Sequence, residues 1–280
     1  MVAAALIAAA ACSATAGAAP VAVVTDAQGT SVLQGTAPVR EVGMLAEIDD
    51  EARVQLEDKA RLVVLYFSTG EQFALRGPAL VHFKSAAPEA LSGNPPEKRT
   101  GHNKTDNGFR IKPGGVTQAA VRIRVAPEGP KLKLLGLSGT VTLEALPEFR
   151  WVPLEPGLTY AFELSDGTGR IVHEAKTAGN ALNLPASVQL KPDVSYAWEV
   201  STRLRNGMKY TSAGDFSVAA AELRAQVERA RPAEVATVAE LVAFALWLEQ
   251  MGLKDEARKY WRTARAQRPD DSRLKTLAGE

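Results

Sequence analysis

The spacing of hydrophobic positions changes twice along the chain and divides it into an apolar leader, a long β-type region and a helical end. Residues 2–11 form an uninterrupted apolar run without a polar face. From about residue 20 to residue 218, short runs of β-branched, aromatic and aliphatic residues alternate with turn residues, which predicts strands. After residue 219 apolar residues recur at i, i+3, i+4 and i+7, which predicts helices. We therefore expect a mainly β chain with a small α-helical C-terminal module.

The leader has the main features of a signal peptide over residues 1–19. The apolar run is shorter than the about 20 residues that cross a bilayer, and small residues suited to cleavage follow it. No Lys or Arg precedes the run, as one usually does. Cys12, the only cysteine, stands directly after the apolar core, where a lipoprotein carries its lipid, although Ala9 replaces the usual larger aliphatic residue. We expect an exported, periplasmic or otherwise extracytoplasmic protein, and both release and a lipid anchor at Cys12 remain open.

The clearest strand in the first β segment, residues 20–90, is predicted over residues 61–68. Its residues are apolar on both faces from Leu62 to Phe67, which predicts a strand buried on both sides. Thr69-Gly70 predicts a tight hairpin to a second strand over residues 71–75. Shorter strands are predicted at 21–25, 31–33, 53–56 and 79–83, with a turn at 26–29.

This strand pattern resembles a known family. Residues 60–83, ARLVVLYFSTGEQFALRGPALVHF, and residues 39–56, VREVGMLAEIDDEARVQL, resemble the core of FecR-like envelope domains, in which short strands, a hairpin glycine and a returning strand follow one another. The resemblance implies extracytoplasmic sensing or protein interaction. Signalling members also carry a membrane span and a cytoplasmic part that this sequence does not show, so signal transduction is not expected.

Residues 88–115 are rich in Pro and Gly, which predicts a break in regular structure. Basic residues outnumber acidic ones in this break. This segment is either a solvated linker or a loop that binds an anionic polymer, and we favour the linker. Strands with one wet face are predicted at 121–125 and 131–135. We assign residues 91–137 to a polar linker with connecting strands.

Residues 138–218 predict a β-sandwich. Strand signals separated by turns recur at 140–143, 149–152, 159–164, 170–174, 187–190, 195–202 and 214–218. The predicted core aromatics are Trp151, Tyr160, Phe162, Tyr196, Trp198 and Phe216. The runs FRWVPL and YAWEV, the latter preceded by LKPDVS, resemble fibronectin type III-like modules of bacterial envelope proteins. That resemblance implies a fold and no activity.

Residues 219–280 predict helices over 220–231, 235–251 and 255–267. Six positions resemble the small, turn, packing and terminating residues of one tetratricopeptide repeat: Ala245, Gly252, Ala257, Trp261, Ala264 and Pro269. A single repeat needs neighbours to cover its faces. Val242, Leu246 and Trp247 lie off the main helix face, and they pack on the preceding helix, on the sandwich or on a partner. We favour packing within the chain.

Charge and motifs give no sign of catalysis or of nucleic-acid binding. The net charge is +1, and no segment after the leader approaches a membrane span. His82, His102 and His173 lack the spacing of a metal site, and no nucleophile elbow, phosphate loop or dinucleotide fingerprint occurs. Asp166-Gly-Thr-Gly is better explained by a hairpin turn than by an aspartic protease loop. We therefore expect a protein without cofactor, metal or catalytic residue.

Three functional hypotheses follow. The first is a non-enzymatic scaffold of the bacterial cell envelope that binds a protein partner, with Trp247, Arg258 and Tyr260 of the helical module as contact residues. The alternative is a carbohydrate- or peptidoglycan-binding accessory module, which would present a row of exposed aromatic side chains. The third, an unrecognised hydrolase, would need a cleft with clustered carboxylates.

Overall fold

The computed structural model describes residues 19–35, 39–99, 110–113 and 130–279. The apolar leader with Cys12, His102 and the strand expected at 121–125 lie outside these described residues. The chain is mainly β, with 39% strand and 19% helix, several antiparallel sheets and a small C-terminal helical part, which confirms the predicted class.

Ten strands build the first sandwich, residues 20–99, from two five-stranded antiparallel sheets. Sheet I has the order β10-β7-β6-β1-β4 and sheet II the order β3-β2-β5-β8-β9. The strands are β1 (Pro20–Gln28), β2 (Ser31–Leu33), β3 (Arg40–Glu41), β4 (Glu47–Asp49), β5 (Arg53–Leu56), β6 (Arg61–Tyr66), β7 (Gln72–Arg76), β8 (Ala79–Phe83), β9 (Pro88–Gly93) and β10 (Glu97–Arg99). Side chains that alternate along β1 and β6, such as Val24 and Val64, fill the space between the sheets.

The hairpin and the doubly buried strand are confirmed. β6 pairs with β7 across Thr69 and Gly70, and its residues from Leu62 to Tyr66 are buried. The turn predicted at 26–29 is wrong in its position, because β1 continues to Gln28 and the chain turns only at residues 29 and 30. β1 and β2 belong to different sheets. The chain crosses between the sheets at Gly29, whose φ is 70° and where a Cβ would lie 2.9 Å from the Cα of Ala60. Only glycine fits this close approach without strain.

The break predicted at 88–115 is wrong at its start, and the first sandwich continues past residue 90. Pro88 begins β9 and Glu97 begins β10, and both strands lie at sheet edges. Proline and charged residues are tolerated there because one side of an edge strand needs no ladder hydrogen bonds. Composition alone therefore suggested a linker where the chain forms two edge strands.

The second sandwich, residues 130–218, pairs a five-stranded sheet with a two-stranded one. Sheet III has the order β11-β17-β16-β13-β14, and sheet IV consists of β12 and β15. The strands are β11 (Thr140–Thr142), β12 (Glu148–Arg150), β13 (Tyr160–Asp166), β14 (Ile171–Thr177), β15 (Ala181–Asn183), β16 (Ser195–Arg203) and β17 (Lys209–Val218). All six predicted core aromatics are buried.

Two strand predictions in the second sandwich are wrong. Residues 187–190 form no strand, and β15 lies earlier instead, paired with β12. Residues 131–135 form only a single bridge, from Leu134 to Trp151. Short apolar runs of this kind pack into the core without joining a ladder, and periodicity does not separate the two cases.

The helical module consists of four helices: α1 (Ala221–Ala230), α2 (Val238–Gln250), α3 (Lys254–Gln267) and α4 (Ser272–Leu277). Thr237 and Glu240 form a capping box at the start of α2. Nine of the thirteen residues of α2 are buried, around its whole circumference. A helix that is apolar all round must be covered on every side.

The cover of α2 comes from three parts of the chain. α3 packs against it through Ala257, Trp261 and Ala264, and α1 contributes Val227 and Ala230. The remaining side is covered by the outer face of sheet I, through the side chains Val23, Leu65 and Phe67. This explains why β6 is apolar on both faces, since one face meets sheet II and the other meets α2.

Truncation of Phe244 tests this shared core. Phe244 is fully buried in α2, and we expect Phe244→Ala to lower the free energy of unfolding by about 3–5 kcal/mol, because a large cavity is left. Val235 is 89% exposed, and Val235→Ala serves as the control, with a change below about 0.5 kcal/mol. Urea denaturation measures both. Similar losses in the two variants would contradict the placement of Phe244 in the core.

Candidate functional site

The first of the three predicted contact residues, Trp247, lies in the interior. Its side chain is 5% exposed, and its ring centre is 5.6 Å from that of Phe244 in the core shared with sheet I. A partner therefore has no access to Trp247 in this conformation. Helical spacing predicted a second apolar face on α2 but not its cover, which is a sheet whose first strand begins more than 200 residues earlier.

Arg258 holds the residue that joins the helical module to the second sandwich. Its Nη1 donates to Asp255 Oδ1 at 2.7 Å, and Asp255 Oδ2 accepts from the backbone N–H of Leu137, also at 2.7 Å. The carbonyl of Leu137 in turn accepts from Nε1 of the buried Trp198 at 2.7 Å. This relay of hydrogen bonds runs from α3 into the sandwich core through Asp255, and Arg258 holds the Asp255 carboxylate in place.

The backbone at Gly214 lies close against the hydrogen bond between Trp198 and Leu137. A Cβ added at Gly214 would lie 2.7 Å from Trp198 Nε1 and 2.8 Å from the carbonyl oxygen of Leu137. Any side chain at this position would separate the donor from its acceptor. Nearby, the α2–α3 turn also meets β11, since the carbonyl of Gly252 accepts from the N–H of Val141 at 2.8 Å.

Tyr260, like Arg258, lies at a partly exposed surface. Its hydroxyl accepts from Arg231 Nη1 at 3.0 Å, and its ring stands edge-on to Phe244 with centres 4.7 Å apart. Arg231 also donates through two nitrogens to the Glu228 carboxylate. Burial raises the pKa of Tyr260, and the adjacent Arg231 opposes that rise. The phenol is therefore neutral at physiological pH and is held in a fixed orientation.

The surface around this phenol is a network of opposite charges, which we call the Tyr260 cluster: Glu228, Arg231, Glu256, Lys259 and Tyr260. Lys259 Nζ lies 2.6 Å from Glu256 Oε1, and Glu256 acts electrostatically on both Arg231 and Tyr260. Such a surface offers both hydrogen-bond donors and hydrogen-bond acceptors. It is suited to contact with another protein, where Tyr and Arg are enriched. The sequence did not single out Arg231 or Glu228, because their approach to α3 depends on helix packing.

Polar contacts also fix the helical module to the first sandwich. Arg268 Nη2 lies 3.2 Å from Oδ2 of Asp26, a carboxylate that is 7% exposed. Gln250 and Lys112 exchange two hydrogen bonds, side-chain amide to backbone, at 2.8 and 2.9 Å. Beside them Ile111 is buried in the shared core. The predicted linker therefore contains a docked segment.

The described histidines do not come together. His82 Nε2 lies 2.9 Å from Glu51 Oε2 in the first sandwich, whereas His173 belongs to β14 in the second. Within residues 19–35, 39–99, 110–113 and 130–279, no group of three His, Cys, Asp or Glu side chains is placed to hold a metal ion. No helix in the same residues combines the length and apolar character needed to cross a bilayer.

The Asp166-Gly-Thr-Gly segment is a hairpin turn, as predicted. It joins β13 to β14, with backbone hydrogen bonds between Asp166 and Arg170 and from Gly169 to Asp166. The hydroxyl and N–H of Thr168 donate to the Asp166 carboxylate, and Arg170 adds further donors. These bonds, above all the one from the Thr168 hydroxyl, lower the pKa of Asp166 to about 2. The carboxylate stabilises its own turn.

A shallow basin of about 420 Å³ lies on the outer face of sheet III. Glu174, Glu163 and Glu199 stand directly opposite one another on β14, β13 and β16 and form a row across it. Strand alternation predicts that each of these side chains points outward, but the alignment of the three depends on register, which the sequence does not specify.

The described part of the chain lacks the row of exposed aromatic side chains that a carbohydrate-binding module would present. All four tryptophans are buried, and Tyr210 and Tyr260 are the only described aromatic residues that are even half exposed. No row of exposed rings is therefore available among them to stack on sugars.

Substitution of Asp255 tests the relay to the second sandwich. We expect Asp255→Ala to lower the free energy of unfolding by about 1–3 kcal/mol, because the Leu137 N–H loses its acceptor. Asp255→Asn retains an oxygen for that N–H and should lose less. Chemical denaturation, with hydrogen exchange at the Leu137 amide, measures the difference. Equal losses and equal exchange in both variants would contradict this role for Asp255.

Glu249 provides a test by pH. Burial raises its pKa, while Trp261 Nε1 donates to Oε1 at 2.8 Å and Arg258 favours the charged form. A raised pKa in the folded state stabilises the protein below the unfolded pKa of about 4.3, and this contribution is lost as the pH rises through the folded value. Glu249→Gln keeps the acceptor and removes the buried charge. We expect it to be more stable than the native chain at pH 7.

The gain from Glu249→Gln should shrink towards zero at acidic pH, where the native side chain is protonated. Thermal denaturation from acidic to neutral pH measures the difference. Glu234→Gln, at an exposed position, is the matched control and should change little at any pH. A gain for Glu249→Gln that is independent of pH would show that charge burial is not its cause.

Comparison with known proteins assigns no family to these surfaces. No protein-family model matches the chain, and no curated protein is similar to it.

Proposed function

We propose that this chain is a non-enzymatic, extracytoplasmic scaffold of the bacterial cell envelope that binds a protein partner. The observation that best supports the proposal is the combination of a shared core with an ordered contact surface. α2 is covered by α1, α3 and sheet I, so the helical module is fixed to the first sandwich. The Tyr260 cluster remains at the surface of that rigid body, with its side chains held by mutual hydrogen bonds.

Rigidity favours binding in a direct way. Association costs less entropy when the contact side chains are already ordered. Arg231 is held by both Glu228 and Tyr260, and the Tyr260 ring is held against Phe244. A partner that meets this surface gains a neutral phenol, a guanidinium and a lysine without having to order them.

The resemblances are part of the proposal. The two-sheet first sandwich is compatible with a FecR-like domain, and the second sandwich with a fibronectin type III-like module. In the α2–α3 pair, Ala257, Trp261 and Ala264 face α2, as the tetratricopeptide-like spacing requires. Export through the leader, with either release or a lipid anchor at Cys12, completes the proposed role.

The test is crosslinked affinity capture from the cell envelope with variants of the full chain. Removal of the helical module would uncover Val23, Leu65 and Phe67 on sheet I, so a truncated chain would bind nonspecifically. Single charge reversals keep the core intact. We expect Arg231→Glu and Lys259→Glu to reduce capture of the partner at least about tenfold, as loss of a central contact does.

Lys209→Glu, an exposed charge reversal at the start of β17, is the matched control and should capture normally. Thermal denaturation checks that all three variants are folded. Equal capture by all of them would move recognition away from the Tyr260 cluster. If the native chain captures no protein but binds purified cell-wall polymer, the accessory-module alternative replaces the scaffold proposal.

A further inference from the structure

β14 is the longest uncovered sheet edge among the described residues. Most other edge strands, in all four sheets, have only two or three residues. β9 has six, but Pro88 begins it and Gly93 ends it. β14 has seven residues without Pro or Gly, and it pairs only with β13. Its register with β13 is regular from His173 to Thr177 and shifts only between Ile171 and His173. Every second residue of such an edge turns its N–H and C=O outward, ready for another strand.

The side chains of β14 leave this edge accessible. Ile171 is 51% exposed at its start, and no residue of the strand is fully buried. The opposite edge of sheet III is different, because β11 is short and meets the α2–α3 turn at Gly252. Sheet III is therefore closed at one side by the helical module and open at the other.

The outer face of β14 carries charges of both signs at the open edge. Glu174 ends the row with Glu163 and Glu199, and like charges directly opposite each other are destabilising. Lys176 lies on the same face of β14, two residues further along. A strand added beside β14 would gain two pairs of opposite charge if it placed a cation opposite Glu174 and an anion opposite Lys176.

We infer that β14 pairs with β14 of a second copy of this chain, antiparallel about a two-fold axis at Ala175. This register places Glu174 opposite Lys176 of the second copy, and Lys176 opposite Glu174 of the second copy. The lysine then continues the glutamate row across the junction. Two five-stranded sheets join into one continuous ten-stranded sheet.

Neighbouring registers are less favourable. Opposite residues must lie on the same face, so the axis passes through one residue of the strand. An axis at Glu174 sets two glutamates against each other, and an axis at Lys176 does the same with two lysines. An axis at His173 sets Glu174 against Val172. Ala175 alone gives two pairs of opposite charge, with a small side chain at the crossing point.

The first test measures self-association of the full chain by sedimentation equilibrium. We expect a concentration-dependent dimer in the native protein. Lys176→Glu and Glu174→Lys each turn two attractive pairs into repulsive ones, and each should raise the dimer dissociation constant by about tenfold. The double exchange Glu174→Lys with Lys176→Glu restores both pairs and should restore the dimer. A monomer at all concentrations, or a dimer indifferent to these changes, overturns the proposal.

The second test locates the axis by disulfide formation in a Cys12→Ser background. Opposite residues of antiparallel strands have Cα atoms about 4.5–5.5 Å apart, within the range of a disulfide. Ala175→Cys should therefore give a covalent dimer on mild oxidation. In Thr177→Cys the two sulfurs belong to residues offset by about 13 Å along the strands, and this control should not crosslink.

Crosslinking that is equal at both positions, or seen only with Thr177→Cys, overturns the proposed register. This pairing uses the second sandwich and is independent of the Tyr260 cluster. Failure of partner capture would therefore leave the dimer unaffected, and a monomeric chain would leave the scaffold proposal standing.

Discussion

The complete burial of α2 is the constraint on which the rest of the structure depends. An apolar helix in water needs cover around its whole circumference, and neither α1 nor α3 can supply it alone. The missing side is supplied by sheet I, whose strands β1 and β6 carry apolar residues on both faces. One requirement thus links two distant parts of the sequence: a strand that is too hydrophobic for a surface and a helix that is too hydrophobic for a bundle edge.

Polar contacts set the geometry that the shared core leaves undetermined. Hydrophobic contact is non-directional, so it does not fix the angle between modules. Asp26 with Arg268 orients the helices on sheet I, and Asp255 with Leu137 orients them on the second sandwich. The three modules are therefore held in one arrangement, and this rigidity supports a role in which surfaces are presented rather than moved.

Local patterns predicted most of the elements, because they are set by neighbours in sequence. The β6–β7 hairpin and the helices α2 and α3 follow from a turn glycine and from helical spacing. The wrong predictions concern residues whose surroundings are formed by parts of the chain that are distant in sequence. Pro88 suggests a break until its place at a sheet edge is known, and Trp247 suggests a contact surface until sheet I is seen to cover it. The Tyr260 cluster was only partly foreseen, since α1 and α3 meet through packing that no local pattern encodes.

The contact between Arg268 and Asp26 spans 242 positions of the chain. During synthesis the N-terminal strands are therefore present long before the helix that covers them. Until α2 arrives, the outer face of sheet I presents Val23, Leu65 and Phe67 to water. Contacts between residues so far apart in sequence slow folding and prolong the lifetime of aggregation-prone intermediates. The fold is completed only after the last helices have emerged, and until then the chain exposes the apolar surface that α2 later covers.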